Sequence, residues 1–193
     1  MAMDHGPIEA AVIQAVTARG VGKSVCPSEV ARTLATDQGD GYDWRTWMPR
    51  VRRAAAKLAD RGGIRVTRGG VMVPAIEDGR GGPIRLSRMD DDRPDETPVI
   101  ELINLGPAVT EDLHRIGCRT LGDLRRDGAR RVFADVMMDR LCRGVRKNNF
   151  HAMYMYALWG ALHDVNCVTL SSSMREYLRS IAAEVRTEMG GAS

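Results

Sequence analysis

Apolar residues recur along most of this chain at spacings of three and four, and in one short stretch at a spacing of two. Ile8, Ala11, Val12, Ala15 and Val16 predict a first amphipathic helix, closed by Arg19-Gly20. CPSEVARTLATDQGD predicts a short second helix, opened by Pro27 and turning Val30, Ala31 and Leu34 inward. Asp43 suits the N-cap of WRTW, so a third helix begins there and is interrupted at Pro49, or starts afresh at it. Val51, Ala54, Ala55 and Leu58 supply its buried face, and Gly62-Gly63 stop it. Ile64 and Val66 then alternate with Arg65 and Thr67, and Gly69-Gly70 provide the positive φ of a two-residue hairpin turn. After a flexible loop, AIEDGRGG, the stretch GPIRLSR predicts one more strand with Ile84 and Leu86 inward and Arg85 outward. Three helices, a hairpin and a strand make the order of a winged helix-turn-helix.

The pattern lapses in MDDDRPDETP, which is acidic, carries two prolines and reads as a linker. Its charge is expected to lie against a basic first domain. Beyond it the period is helical throughout. Leu102 and Leu105 precede Gly106-Pro107, Leu113 and Ile116 precede Gly117, and Thr120 caps a helix carrying Leu121 and Leu124. Val132, Phe133, Val136 and Met137 predict another helix, and Phe150 to Val165 a further one with a single broad apolar face of Met and aromatic residues, read as core. Tyr177, Leu178, Ile181 and Val185 face inward on a last helix, followed by a fraying GGAS tail. The chain therefore reads as mainly α, with a winged helix over 1–89, a linker over 90–97 and an all-α, helix-hairpin-helix-like domain over 98–193.

Charge sharpens the first half. The net charge of +3 over 193 residues hides 14 Lys plus Arg against 9 Asp plus Glu in residues 1–89, and 14 against 16 in the remainder. At about 100° per residue, Arg50, Arg53, Lys57 and Arg61 form one stripe beside the apolar face of the third helix. With Arg65 and Arg68 on the hairpin they are the candidate DNA-binding residues, chiefly as phosphate neutralisers. An ordinary solvated helix face is the competing reading. Trp44 and Trp47 read as core anchors, with stacking on a base as the alternative. In the second half, Leu105, Gly106 and Ala108 are candidates for a phosphate contact through backbone N–H groups at a helix start. Pro107 removes one donor there, and Glu111 and Asp112 bring opposing charge, so a structural junction competes with that role.

Other chemistry finds little support. GVGKSV resembles the end of a phosphate loop, but Thr17 stands where the first Gly belongs and a helix precedes it in place of a strand. Cys26, Cys118, Cys142 and Cys167 are far apart, and His5, His114, His151 and His163 are scattered, so no metal, cofactor or catalytic grouping is expected. No apolar run approaches a membrane span, and MAMDHGPIEA lacks the features of a signal peptide, which leads to the expectation of a cytoplasmic, non-enzymatic protein.

Two resemblances are carried by longer words. RGVGKSVCPSEVAR, YDWRTWMPRVRRAAAKLADRGGIRVT and GGPIRLSR resemble a family of small bacterial domains without assigned biochemical function, which implies the winged-helix fold and no catalytic residue. INLGP, LHRIGCRTLGDL and MYALWGALHDVNCVTL resemble the C-terminal domain of the TfoX/Sxy competence regulators. That likeness implies transcription regulation and a helix-hairpin-helix-like core, similar also to the C-terminal domain of the RNA polymerase α subunit. A winged helix stands here in place of that family's α/β N-terminal domain.

These readings converge on a bacterial DNA-associated regulator whose winged helix binds duplex DNA and whose helical domain meets a partner protein or adds a weak phosphate contact. A protein-interaction adaptor that touches no nucleic acid is the alternative. No heptad pattern specifies an oligomer. If about five of the candidate side chains meet phosphate, log K for duplex DNA should fall with log salt at a slope of about −4.5, measured by fluorescence anisotropy.

Overall fold

The computed structural model describes residues 6–39, 43–74, 83–89, 91–145 and 152–190. The AIEDGRGG loop, His5, Phe150, His151 and the last three residues of the GGAS tail lie outside them. The described residues fall into two compact units that divide after Met89, except that Asp60–Gly62 group with the second.

In the first unit, α1 spans Pro7–Arg19, β1 Ser24–Val25, α2 Pro27–Asp37 and α3 Met48–Asp60, followed by β2 Ile64–Arg68, β3 Val71–Met72 and β4 Arg85–Arg88. Asp43 caps a 3-10 turn, Trp44–Trp47, that runs directly into α3 with Pro49 in its first turn. The cap is real: Asp43 Oδ1 accepts the Arg45 N–H at 2.9 Å. At the other end of α3, Gly62 takes φ +69° and the Gly63 N–H donates to the Leu58 carbonyl at 2.8 Å, so the chain leaves the helix on a glycine-type cap.

The four strands form one antiparallel sheet in the order β1-β4-β2-β3. Gly69 and Gly70, at φ +55° and +83°, close the two-residue turn between β2 and β3. β4 returns on the opposite side of β2, pairing Val66 with Leu86, and also pairs with β1. The three helices, the hairpin and the returning strand follow the order read from the sequence, with β1 added to the sheet. β1 itself escapes sequence patterning, because two residues have no period and its partner Leu86 lies some sixty positions away. The core is one cluster in which Val12, Val16, Val30, Ala31, Val51, Ala55, Leu58, Ile64, Val66 and Leu86 are buried together.

Among its described residues the second unit is built of helices, α4 Pro107–Arg115, α5 Leu121–Cys142, α6 Ala152–His163 and α7 Ser172–Gly190, with one isolated bridge between Pro98 and Thr120. Gly128, at φ +77°, breaks α5 into the two helical pieces the sequence suggests. Thr120 and Asp123 form a reciprocal capping box at its start, each side chain meeting the other's backbone N–H. α6 departs from the expected single apolar face. Every residue from Tyr154 to His163 is buried, so this helix is the unit's axis, wrapped by α5 and α7.

The acidic stretch carries ion pairs of its own. Asp91 lies with its side chain only 6% exposed, bonded by Arg93 and paired with Arg125 at 2.8 Å, while Asp95 pairs with Arg125 at 2.6 Å. Arg93 in turn donates to the carbonyls of Ala161 and Leu162 at 3.0 and 3.1 Å, at the end of α6, where a cation is favoured. Asp91 and Asp95 are thus paired within the second unit. Sequence composition showed the carboxylates but not the guanidinium groups waiting thirty and more residues away.

Asn104 and Gly160 explain two of the words noted in the sequence. Asn104 sits at φ +71°, its Nδ2 donates to the Val165 carbonyl at 2.9 Å, and its Oδ1 accepts the Cys167 N–H at 3.0 Å. A Cβ on Gly160 would lie 2.6 Å from both Asn104 Nδ2 and the Val165 carbonyl, so only glycine leaves room for this tie. Asn104→Ala should cost about 2–3 kcal/mol in urea denaturation, through two lost hydrogen bonds and a left-handed alanine, with Asn104→Gly costing less. Acid should expose the other tie. Burial acts to raise the Asp91 carboxyl, but hydrogen bonds and charge from Arg93, with the charge of Arg125, outweigh it and hold it at about 2. Its contribution is therefore complete above pH 4 and lost as pH falls towards 2. The stability gap between wild type and Asp91→Asn should close over that interval.

Candidate nucleic-acid interface

The apolar face of α3 is consumed by the first unit's core, which leaves its basic stripe outside. Arg50, Arg53 and Lys57, at relative positions 0, 3 and 7, are all exposed. Among the described residues no carboxylate pairs with Arg50 or Arg53. Lys57 reaches Glu9 of α1 at 4.0 Å, but keeps 61% of its side chain in solvent while Glu9 keeps 13%. That contact is long and water-exposed on the lysine side, the kind that costs little to trade for another anion.

The remaining candidates separate. α3 ends at Asp60, so Arg61 lies past the helix and is half-buried, off the stripe that the sequence drew through it. On β2, Ile64, Val66 and Arg68 share one face by alternation and Arg65 and Thr67 the other, so Arg65 and Arg68 do not form a single wing patch. Arg65 stands with Thr67, Ser87 and Arg85 on the face turned from the core, since directly paired residues share a face. Its Nε is buried without a hydrogen-bond partner. Arg85 is exposed and lies 4.0 Å from Glu29.

Sequence reasoning missed a group at the corner between α2 and α3. The guanidinium carbons of Arg32 and Arg45 lie 4.7 and 4.9 Å from the centroid of the Trp44 ring, and that of Arg50 lies 4.6 Å from the Trp47 ring. Both tryptophans are half-buried against the core cluster. The expectation that they anchor the third helix is met, and each also carries arginine on its outer surface. Arg32 and Arg45 over the Trp44 ring occupy surface that a stacked base would need.

In the second unit the phosphate-contacting trio comes apart. Leu105 is buried, and its N–H is spent on the Leu102 carbonyl at 3.3 Å. Gly106 and Ala108 remain exposed around Pro107, which has no donor. The opposing charges foreseen there are compensated: Glu111 pairs with Arg115, and the nearly buried Asp112 holds Arg140 Nε and Arg143 Nη2, each at 2.9 Å. This second pairing ties α4 to α5. Cys118 is buried, and burial foremost, with the charges of Asp123 and Asp127, pushes its thiol up to about 12. It is an inert thiol. Among the described residues no group of His, Cys, Asp or Glu could hold a metal ion, and no helix is long and apolar enough to cross a membrane.

Comparison with known families agrees with this division. Residues 5–89 match a family described as a protein of unknown function (DUF3253), and residues 96–182 match the TfoX C-terminal domain. Both resemblances carried by the sequence words are therefore met, each over its own half. No curated protein matches the chain.

Proposed function

We propose that this protein is a DNA-associated regulator in which the first unit binds duplex DNA through α3 and the TfoX-type helical unit engages a partner protein. The observation that carries the first part is the pair Arg50 and Arg53, exposed on a helix whose other face is locked in the core and lacking a carboxylate partner among the described residues. Uncompensated guanidinium groups on a rigid element are what phosphate binding requires, and the salt dependence of such binding follows from counterion release. The second part is supported by the exposed apolar side chains of Ile100, Ile103, Met138, Met153 and Val168, and by the spent N–H of Leu105, which weakens the case for a phosphate contact there.

Fluorescence anisotropy of the full chain with a random-sequence duplex, across salt concentrations, tests the DNA reading. Arg50→Ala/Arg53→Ala should reduce the magnitude of the slope of log K against log salt by about 1.8, with thermal stability unchanged. An absence of binding at low salt would favour the adaptor reading, in which α3 docks protein.

A further inference from the structure

At the α2–α3 corner, arginines from three elements lie over the rings of Trp44 and Trp47. Arg32 comes from α2, Arg45 from the 3-10 turn and Arg50 from the first turn of α3. The carbons of Arg32 and Arg45 each lie within 5 Å of one ring centroid, so they stand within about 10 Å of each other, close to the Debye length at 0.1 M salt. Two like charges gathered so closely repel each other. The ring beneath them offsets part of that repulsion. Arg32 and Arg50 have no carboxylate partner among the described residues, and Arg45 has only Asp43, at 3.5 Å, with 72% of its own side chain exposed. Asp43 is already engaged as the cap of the turn. Nothing in the fold requires this crowding: the core needs the tryptophan rings, not the cations above them.

We infer that the α2–α3 corner is a second anion-binding patch, in which Trp44 and Trp47 are positioning residues that hold Arg32, Arg45 and Arg50 against the phosphate backbone of duplex DNA. The inference rests on the DNA reading above and extends it. Arg50 joins the corner to the stripe of Arg53 and Lys57, so the footprint runs along α3 and off its start onto α2. Guanidinium groups already held over a ring lose less freedom on meeting a phosphate, which accepts their paired N–H donors. The rings do not stack on bases. The corner therefore adds affinity without sequence preference.

The full chain, Arg32→Ala/Arg45→Ala, Trp44→Leu and Trp44→Phe are compared with a random-sequence duplex by anisotropy over a salt series. Arg179→Ala removes an exposed cation of α7 as the control. The double arginine variant should lower the slope magnitude by about 1.8, and the control should leave it unchanged. Trp44→Leu keeps every charge yet should weaken binding about fivefold and flatten the slope, while Trp44→Phe, which retains a π face, should recover most of both. A double variant with the wild-type slope would overturn the corner patch while leaving binding through α3 in place. Weakened binding by Trp44→Leu that Trp44→Phe does not recover would overturn the positioning role. Failure of the unaltered chain to bind at low salt would overturn the patch together with the DNA reading.

Discussion

Burial of Val51, Ala54, Ala55 and Leu58 in a shared cluster with Ile64, Val66 and Leu86 decides which way α3 faces. The four side chains leave their helix no rotational freedom: turning it by one residue would expose Val51 or Leu58 and bury a guanidinium. Four such apolar side chains stabilise the arrangement by several kcal/mol, roughly 1 to 3 for each large one. Arginine pairing at an exposed surface contributes far less. The apolar face therefore sets the geometry, and the display of Arg50, Arg53 and Lys57 follows as its consequence. Chain economy follows too, because Trp44 and Trp47 serve the core with one side and carry cations on the other.

The two units use arginine in opposite ways. In the second, Arg93, Arg125, Arg140 and Arg143 are matched by Asp91, Asp95, Asp112 and Asp139, several of them largely withdrawn from solvent. Those pairs hold segments together: the stretch after Met89 to α5 and the end of α6, and α4 to α5. Buried charge of this kind survives only when its partner is present, since removing one member strands the other. In the first unit the arginines at the α2–α3 corner lie over tryptophan rings, and of the three only Arg45 has a carboxylate partner among the described residues, Asp43. The excess of positive charge in residues 1–89 includes the exposed Arg32, Arg45, Arg50 and Arg53.

Local signals were legible in the sequence and distant ones were not. The β2–β3 turn follows from Gly69-Gly70, and the Asp43 cap and the Thr120 cap follow from their own neighbours, so each was readable within a few residues. β1 depends on pairing with β4, the fate of the acidic stretch depends on Arg125, and the loss of Leu105 as a donor depends on a turn back to Leu102. None of these has a period. The helical stripe on α3 was visible because periodicity reports rotation about an axis, but it carried through Arg61 where the helix had stopped. Trp44 showed its core role by type alone; the arginines over it come from two elements and meet only in three dimensions.

The central claim is that the arginines of α3 and its preceding corner are the ones a polyanion meets. Modification by an arginine-directed dicarbonyl reagent, read site by site by mass spectrometry with and without duplex DNA, tests it most directly. The account predicts that DNA protects Arg32, Arg45, Arg50 and Arg53 while Arg119 and Arg179, exposed in the helical unit, stay reactive. Equal reactivity of Arg50 and Arg53 with and without saturating DNA would contradict it.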